Sequence, residues 1–135
     1  MDCTVIGDSI AVGVNRFLRC HEMAQVGRSS SYQSAHMKKV SEGLVIISLG
    51  SNDPVSPKLL QDLRSVRSRV GDRRVLWLVP YDRRAARTVY SVAAERGDGL
   101  VDLKLFASKD WIHPRNYREV ANNILNPSTI TGYFD

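Results

Sequence analysis

The sequence predicts an α/β protein in which helices cover both faces of a parallel sheet. Short apolar runs alternate with helical patterns along the 135 residues, and this order is typical of repeated βα units. One run, at 44–49, is almost wholly apolar, as a central parallel strand buried on both faces requires. With 43% hydrophobic and 24% charged residues, a chain of this length has room for one core. We therefore expect a single domain over residues 1–135.

The first part of the chain predicts two strands, a helix between them and a short helix after them. The strands span 3–6 and, with a weaker pattern, 22–26, and the short helix lies near 33–39. The helix between the strands has an apolar stripe at helical spacing, formed by Ile10, Val14, Phe17 and Leu18. These elements make one βα unit and begin a second.

The strand at 44–49 starts the middle of the chain. The helix that follows has an apolar stripe formed by Leu59, Leu63, Val66 and Val70. Gly71 comes directly after it, where helices commonly end. A fourth strand at 75–79 is closed by Pro80. The pattern of buried strand and amphipathic helix is thus repeated.

The last part of the chain predicts two further helices and a fifth strand. A helix at 84–96 turns one side inward, with Ala86, Val89, Tyr90 and Ala93, and a strand at 101–105 follows it. Pro114 can open the final helix, because the first turn of a helix does not need its missing N–H. The stripe of that helix is Tyr117, Val120, Ala121, Ile124 and Leu125. Residues 127–135 are expected to form a loosely packed tail.

Targeting signals are not evident in the sequence. No apolar stretch approaches the length of a membrane span, and Met1 is followed by an acid instead of a signal peptide. We therefore expect a cytoplasmic protein, and a bacterial, viral or eukaryotic cytosol fits equally well. Cys3 and Cys20 match neither a CxxC pair nor a zinc spacing, so reduced thiols are expected.

The formal net charge of +5 comes from arginine clusters such as Arg73 with Arg74. Such clusters most commonly form a solvent-exposed charged face, and nucleic-acid binding is the more specific functional interpretation. No zinc-finger spacing, RNP motif or phosphate-binding loop accompanies them, so nucleic-acid binding is disfavoured. A basic rim that steers an anionic substrate fits somewhat better.

Polar motifs follow the predicted strands at their carboxyl ends. They are Gly7-Asp8-Ser9, Gly27-Arg28-Ser29, Gly50-Ser51-Asn52-Asp53, Tyr81-Asp82 and Asp110-Trp111-Ile112-His113. Ligands bind at this edge in open parallel α/β sheets. Residues far apart in sequence are therefore expected to meet in one cleft.

Three of these residues suit nucleophilic catalysis. Ser9 needs a neighbouring base to take its proton, and His113 is the candidate. Asp110 lies three residues earlier, where a single turn can bring its carboxylate onto the imidazole. His21 and His36 have no acid at a useful spacing and are interpreted as ordinary surface or packing residues.

Three hydrogen-bond donors at the same edge suit the oxyanion that forms during acyl transfer. They are the Ser9 N–H at the start of a helix, the Gly27 N–H and the Asn52 side-chain amide. We expect Gly27 to sit where only a missing side chain permits close approach. Taken alone, Gly27 is equally a turn glycine and Asn52 a turn-forming residue.

The blocks from Gly7-Asp8-Ser9-Ile10 to Asp110-Trp111-Ile112-His113-Pro114 together resemble the SGNH hydrolase superfamily, also called GDSL-type esterases and lipases. The resemblance implies Ser9 as nucleophile, His113 as base and Asp110 as its orienting acid, with Ser9, Gly27 and Asn52 in the oxyanion hole. It also implies a three-layer αβα sandwich of flavodoxin-like type, with five parallel strands in the order 2-1-3-4-5. No cofactor and no metal are expected.

The resulting hypothesis is two-step acyl transfer on a small-molecule or glycan ester. Tyr81, Arg83 and Trp111 are candidates for the leaving-group side of the site, although Trp111 could equally anchor the last helix. A short chain favours short acyl groups, notably acetyl esters of a carbohydrate. The alternatives are a catalytically inactive module of the same fold that binds a glycan or protein, and then a basic protein associated with nucleic acid.

Overall fold

The computed structural model describes residues 2–126, so the predicted tail at 127–135 lies outside the described residues. Five parallel strands form one sheet in the order β2-β1-β3-β4-β5. The strands are β1 (Cys3–Gly7), β2 (His21–Ala24), β3 (Leu44–Ser48), β4 (Arg74–Val79) and β5 (Gly99–Asp102). The predicted parallel α/β architecture is therefore confirmed.

Helices cover both faces of this sheet. They are α1 (Ser9–Leu18), α2 (Ser30–Ala35), α3 (Leu59–Val70), α4 (Arg83–Arg96) and α5 (Tyr117–Leu125). The apolar sides of α1 and α5 bury one face of the sheet, and those of α3 and α4 bury the other. Strand β3 lies at the centre and is almost completely buried, because its side chains meet a helix layer on each side.

Several element ends differ from the predictions because of side-chain caps. Helix α2 begins at Ser30, since the Ser29 hydroxyl accepts a hydrogen bond from the Tyr32 N–H. Helix α5 begins at Tyr117 and not at Pro114, since Asn116 caps its first turn. Strand β5 ends at Asp102, whose side chain accepts from the Lys104 N–H and starts a short 3₁₀ helix, Leu103–Leu105.

Three residues predicted to face the core lie partly in solvent. Phe17, Tyr90 and Leu125 are 40%, 40% and 45% exposed. The Arg118 guanidinium covers the Phe17 ring at 5.2 Å, and the Tyr90 hydroxyl donates to Asp102. Phe17 and Tyr90 lie at the margin of their stripes, where an aromatic body can pack while its edge stays wet. Leu125 is the last residue of α5.

The expectation of reduced cysteines is wrong, because Cys3 and Cys20 form a disulfide. Strands β1 and β2 pair with Thr4 opposite His21. Cys3 precedes Thr4 and Cys20 precedes His21, so this register brings the two cysteines side by side. The two Cα atoms are 4.9 Å apart, within the range that a disulfide spans.

Within residues 2–126, no helix has both the length and the apolar character needed to cross a membrane.

Candidate active site

The turn between β1 and α1 presents Ser9 at the carboxyl edge of the sheet. Gly7 has a φ of +139°, and a Cβ atom there would lie 1.8 Å from the Ser48 carbonyl oxygen on β3. The Asp8 N–H donates to that same oxygen at 3.1 Å. Only glycine fits this approach of two backbones, and the chain then turns directly into α1.

Asp8 caps α1 from inside the protein. Its Oδ1 accepts from the Ile10 N–H at 3.0 Å and from the Ser48 hydroxyl at 2.9 Å. Its Oδ2 is also buried and has no hydrogen-bond partner. Burial raises the pKa of Asp8 to about 6, although the bonds from Ser48 and Ile10 oppose this rise.

The structure brings Ser9, His113 and Asp110 into one hydrogen-bonded chain. The Ser9 Oγ lies 3.0 Å from His113 Nε2, and His113 Nδ1 lies 2.8 Å from Asp110 Oδ2. The side chains of His113 and Asp110 are 42% and 51% exposed, so the site is open to solvent. The hydrogen bond from His113 holds the pKa of Asp110 well below its usual range.

The loop from 108 to 113 holds this acid and base in place. Asp110 Oδ1 accepts from the N–H groups of Ile112 and His113 at 2.9 and 2.8 Å. The Ser108 hydroxyl lies 2.6 Å from the His113 carbonyl oxygen and accepts from the Trp111 N–H. Sequence reasoning did not identify Ser108, because a serine five residues before a histidine carries no distinctive signal.

Two of the three candidate oxyanion donors, Gly27 and Asn52, lie in loops that meet. The Asn52 amide donates to the Arg28 carbonyl at 2.9 Å, which leaves its second N–H available. Gly27 precedes Arg28 and has a φ of +82°, but no atom lies within 4 Å of its Cβ position. The backbone conformation, and not close packing as expected from the sequence, therefore explains this glycine.

Asp53 ties the same two loops together. Its carboxylate accepts from the Ser30 N–H at 2.9 Å and from the Ser30 hydroxyl at 3.1 Å. These bonds attach the loop after β3 to the start of α2, three residues after Gly27. The sequence signal for this contact was only that Asp53 follows Asn52 in one polar block.

A groove of about 220 Å³ adjoins the triad at Asp110. Its walls include Pro54, Tyr81 and Trp111, and the last two rings lie 5.4 Å apart. Trp111 is 54% exposed, so it does not anchor the last helix in the core. Tyr81 is buried, and its hydroxyl donates to the Phe106 carbonyl; burial raises its pKa to about 12.

The structure places Arg83 away from this groove, unlike the sequence-based expectation. Its guanidinium forms two hydrogen bonds with Asp102, at 2.8 and 2.9 Å, and others with the carbonyls of Pro80 and Tyr81. Arg83 therefore joins α4 to β5.

His36 lies outside the triad, and its ring stacks on the Tyr32 ring at 4.1 Å.

Among residues 2–126, no three side chains of histidine, cysteine, aspartate or glutamate are grouped to hold a metal ion.

No protein-family model matches the sequence, and no curated protein matches it either. The chain is, however, similar in three-dimensional structure to several solved proteins. A lipolytic protein of the G-D-S-L family from Veillonella parvula aligns over 94% of this chain and 97% of its own, with a TM-score of 0.58 and 15% identity. A candidate acylhydrolase from Bacteroides fragilis aligns over 93% and 85%, with a TM-score of 0.67 and 15% identity. A GDSL-like lipase from Bacteroides thetaiotaomicron aligns over 94% and 86%, with a TM-score of 0.63 and 15% identity.

These similarities are at the level of three-dimensional structure. The chain has the fold of the SGNH hydrolases, with the five-stranded parallel sheet in the order 2-1-3-4-5. The expected fold, including its strand order, is confirmed.

Proposed function

We propose that the protein is a serine esterase of the SGNH type that hydrolyses carboxylic esters by acyl transfer through Ser9. One observation carries this proposal, namely the hydrogen-bonded chain from the Ser9 hydroxyl through His113 to Asp110. A nucleophile, a base and a group that orients the base in this geometry are the machinery of acyl transfer. The similarity in fold to lipolytic proteins and an acylhydrolase supports the same reaction class.

In the first step, the Ser9 hydroxyl attacks the ester carbonyl and passes its proton to His113 Nε2. Asp110 stabilises the imidazolium that forms and keeps Nδ1 protonated. The negative charge on the carbonyl oxygen meets the N–H groups of Ser9 and Gly27 and the second N–H of Asn52. The C–O bond to the alcohol then breaks, and the alcohol leaves with the proton from His113.

Water completes the reaction. It attacks the acyl-Ser9 ester while His113 takes its proton, and the C–O bond to Ser9 breaks as His113 returns that proton to the serine oxygen. The acid product is released and the enzyme regains its starting protonation state. Every step uses residues of this chain and water.

The open site supports a short acyl group as the substrate. Each methylene of a longer chain gains about 0.8 kcal/mol only where it is buried. The half-exposed histidine and a groove of about 220 Å³ provide little surface for such burial. The exposed ring of Trp111 offers a flat apolar face beside the triad, which suits a sugar ring. An acetyl ester of a carbohydrate is therefore the proposed substrate class.

Hydrolysis of p-nitrophenyl acetate by the purified protein tests the reaction. Ser9→Ala is expected to lower kcat by about 10⁴-fold or more. The matched control is Ser91→Ala, which removes an exposed hydroxyl on α4 and should retain the wild-type rate. Equal rates for the wild type and Ser9→Ala would reject Ser9 as nucleophile and favour an inactive binding module.

Two further measurements address mechanism and substrate. A fluorophosphonate should label the wild type once, on the peptide that contains Ser9, and should not label Ser9→Ala. Across p-nitrophenyl acetate, butyrate and octanoate, kcat/KM should fall as the acyl chain lengthens. A preference for octanoate would contradict the assignment to acetyl esters while leaving the reaction class intact.

A further inference from the structure

A second cavity lies between α1 and the start of α5. It has a volume of about 450 Å³. Its walls include Arg16, Phe17, Arg115, Asn116, Tyr117 and Arg118. We call it the arginine pocket. It is separate from the groove beside Trp111, and the reaction mechanism above does not use it.

The arginine pocket carries three positive charges and no negative one. Arg16, Arg115 and Arg118 are all exposed, and no acidic residue lines the cavity. Within residues 2–126, their guanidinium groups form no ion pair and no hydrogen bond; Arg118 contacts the Phe17 ring at 5.2 Å. Glu119, the nearest acid along the chain, is not part of the lining.

Some other arginines among the described residues have their charge met by a carboxylate. Four of them form ion pairs with carboxylates, namely Arg64, Arg67, Arg83 and Arg84. Guanidinium groups that share one pocket repel each other, and a bound anion offsets this repulsion. Guanidinium groups bind phosphate, sulfate and carboxylate through paired hydrogen bonds, which makes such anions the natural ligands.

The arginine pocket lies on the same side of α1 as the nucleophile. Ser9, Gly13 and Arg16 are separated by four and three residues, the spacing that places side chains on one helix face. Seven residues correspond to about 10 Å along a helix axis. The other wall of the pocket continues from the base, since Arg115 follows His113 by two residues.

Tyr117 lines the arginine pocket and contacts α1. Its ring packs on Gly13, where a Cβ atom would lie 2.4 Å from it. Burial raises the pKa of Tyr117, with Asp8 and Asp110 adding to the rise and Arg16 opposing it. Tyr117 thus packs on α1 at Gly13, which lies between Ser9 and Arg16 along the helix.

We propose that the arginine pocket binds an anionic group, a phosphate, sulfate or carboxylate, on the alcohol part of the ester substrate. The proposal rests on the esterase function above. His113 gives its proton to the leaving alcohol, so the alcohol lies on the His113 side of Ser9. Arg115 follows His113 by two residues. In a carbohydrate ester the sugar ring would lie on Trp111, and an anionic substituent of the same alcohol, about two helical turns from the reacting carbonyl, would extend past His113 to the pocket.

Two esters of the same shape test this proposal. One is 6-acetoxynaphthalene-2-sulfonate, and the other is the corresponding uncharged sulfonamide. The wild type is expected to prefer the sulfonate in kcat/KM, mainly through a lower KM. This preference should shrink between about 20 mM and about 500 mM NaCl, because salt screens exposed charges.

Charge-neutralising variants give the decisive comparison. Arg16→Gln with Arg118→Gln should reduce the ratio of the two kcat/KM values by about tenfold. The matched control removes two exposed charges on the opposite helix layer, with Arg69→Gln and Arg87→Gln, and should keep the wild-type ratio. Thermal unfolding would verify that both variants remain folded.

The outcomes that contradict the proposal are distinguishable. If the wild type hydrolyses both esters equally well, or if the pocket variant keeps the wild-type ratio, the anion proposal is overturned and the esterase function stands. Binding of inorganic sulfate without a preference for the anionic ester also overturns it, because the pocket would then serve a free anion. If neither ester is hydrolysed faster than by Ser9→Ala, both proposals fail.

Discussion

Replacing Asp8 with asparagine is expected to change how the stability of the protein depends on pH. The carboxyl group is fully buried, and its pKa rises from the ordinary 3.8 to about 6. In the unfolded chain Asp8 loses its proton near pH 3.8, whereas the folded protein keeps it until about pH 6. The contribution of Asp8 to stability is therefore complete below pH 3.8 and is lost as the pH rises through 6.

The size of this effect follows from the difference between the two pKa values. A difference of about two pH units, at about 1.4 kcal/mol for each, corresponds to about 3 kcal/mol. The substituted asparagine keeps an oxygen for the Ile10 N–H and the Ser48 hydroxyl, but it places an amide where the Asp8 Oδ2 has no partner. That loss, about 1–3 kcal/mol, does not depend on pH. The diagnostic quantity is thus the slope and not the absolute stability.

Urea unfolding of the wild type and Asp8→Asn, from about pH 4 to about pH 8, measures this slope. The stability of the wild type relative to the variant should fall by about 2–2.5 kcal/mol over this range, since part of the effect already lies below pH 4. Asp82→Asn is the control, because Asp82 caps α4 while its bonds to Arg84 lower its pKa to about 2. The contribution of Asp82 is lost only as the pH falls below 3.8, so its difference curve should be flat over this range. A flat curve for Asp8→Asn would refute the reasoning.

Three further changes are expected to have distinct effects. Gly7→Ala should destabilise the protein by more than about 3 kcal/mol in urea unfolding, because its Cβ would overlap the Ser48 carbonyl oxygen; an unchanged midpoint would contradict the described turn. Cys20→Ser should lower the free energy of unfolding by about 3 kcal/mol, and the reducing agent that destabilises the wild type should leave this variant unaffected. Ser108→Ala should lower kcat on p-nitrophenyl acetate by about tenfold or more, because the loop that carries the base loses its anchor, while Ser91→Ala keeps the wild-type rate.

The fold class was predictable from the sequence because it depends on local patterns. An apolar run at 44–49 fits a strand buried on both sides, and the helices between strands show their apolar stripes at fixed spacing. The position of Ser9 was predictable for a related reason. It follows β1 directly, and the strands of a parallel sheet all end at one edge.

Individual side-chain contacts were not predictable from the sequence. Ser108, Asp53 and Asp102 each bind a partner that no sequence pattern marks. Arg83 is an example of the consequence, since it follows β4 as a candidate site residue should, yet Asp102 on the neighbouring strand binds it. The hydrogen bonds of a long side chain depend on its neighbours in space.

The sequence by itself determined the alternation of strands and helices and the order of the polar motifs along the chain. Both depend on the types and spacing of residues that are close together in sequence. Only the tertiary structure decided that Cys3 lies beside Cys20, because that requires the register of β1 against β2. It alone also decided that Arg16 and Arg118 share a pocket near Ser9, because this needs α5 to pack along α1. Both results arise from how secondary structures pack, and packing depends on every contacting surface at once.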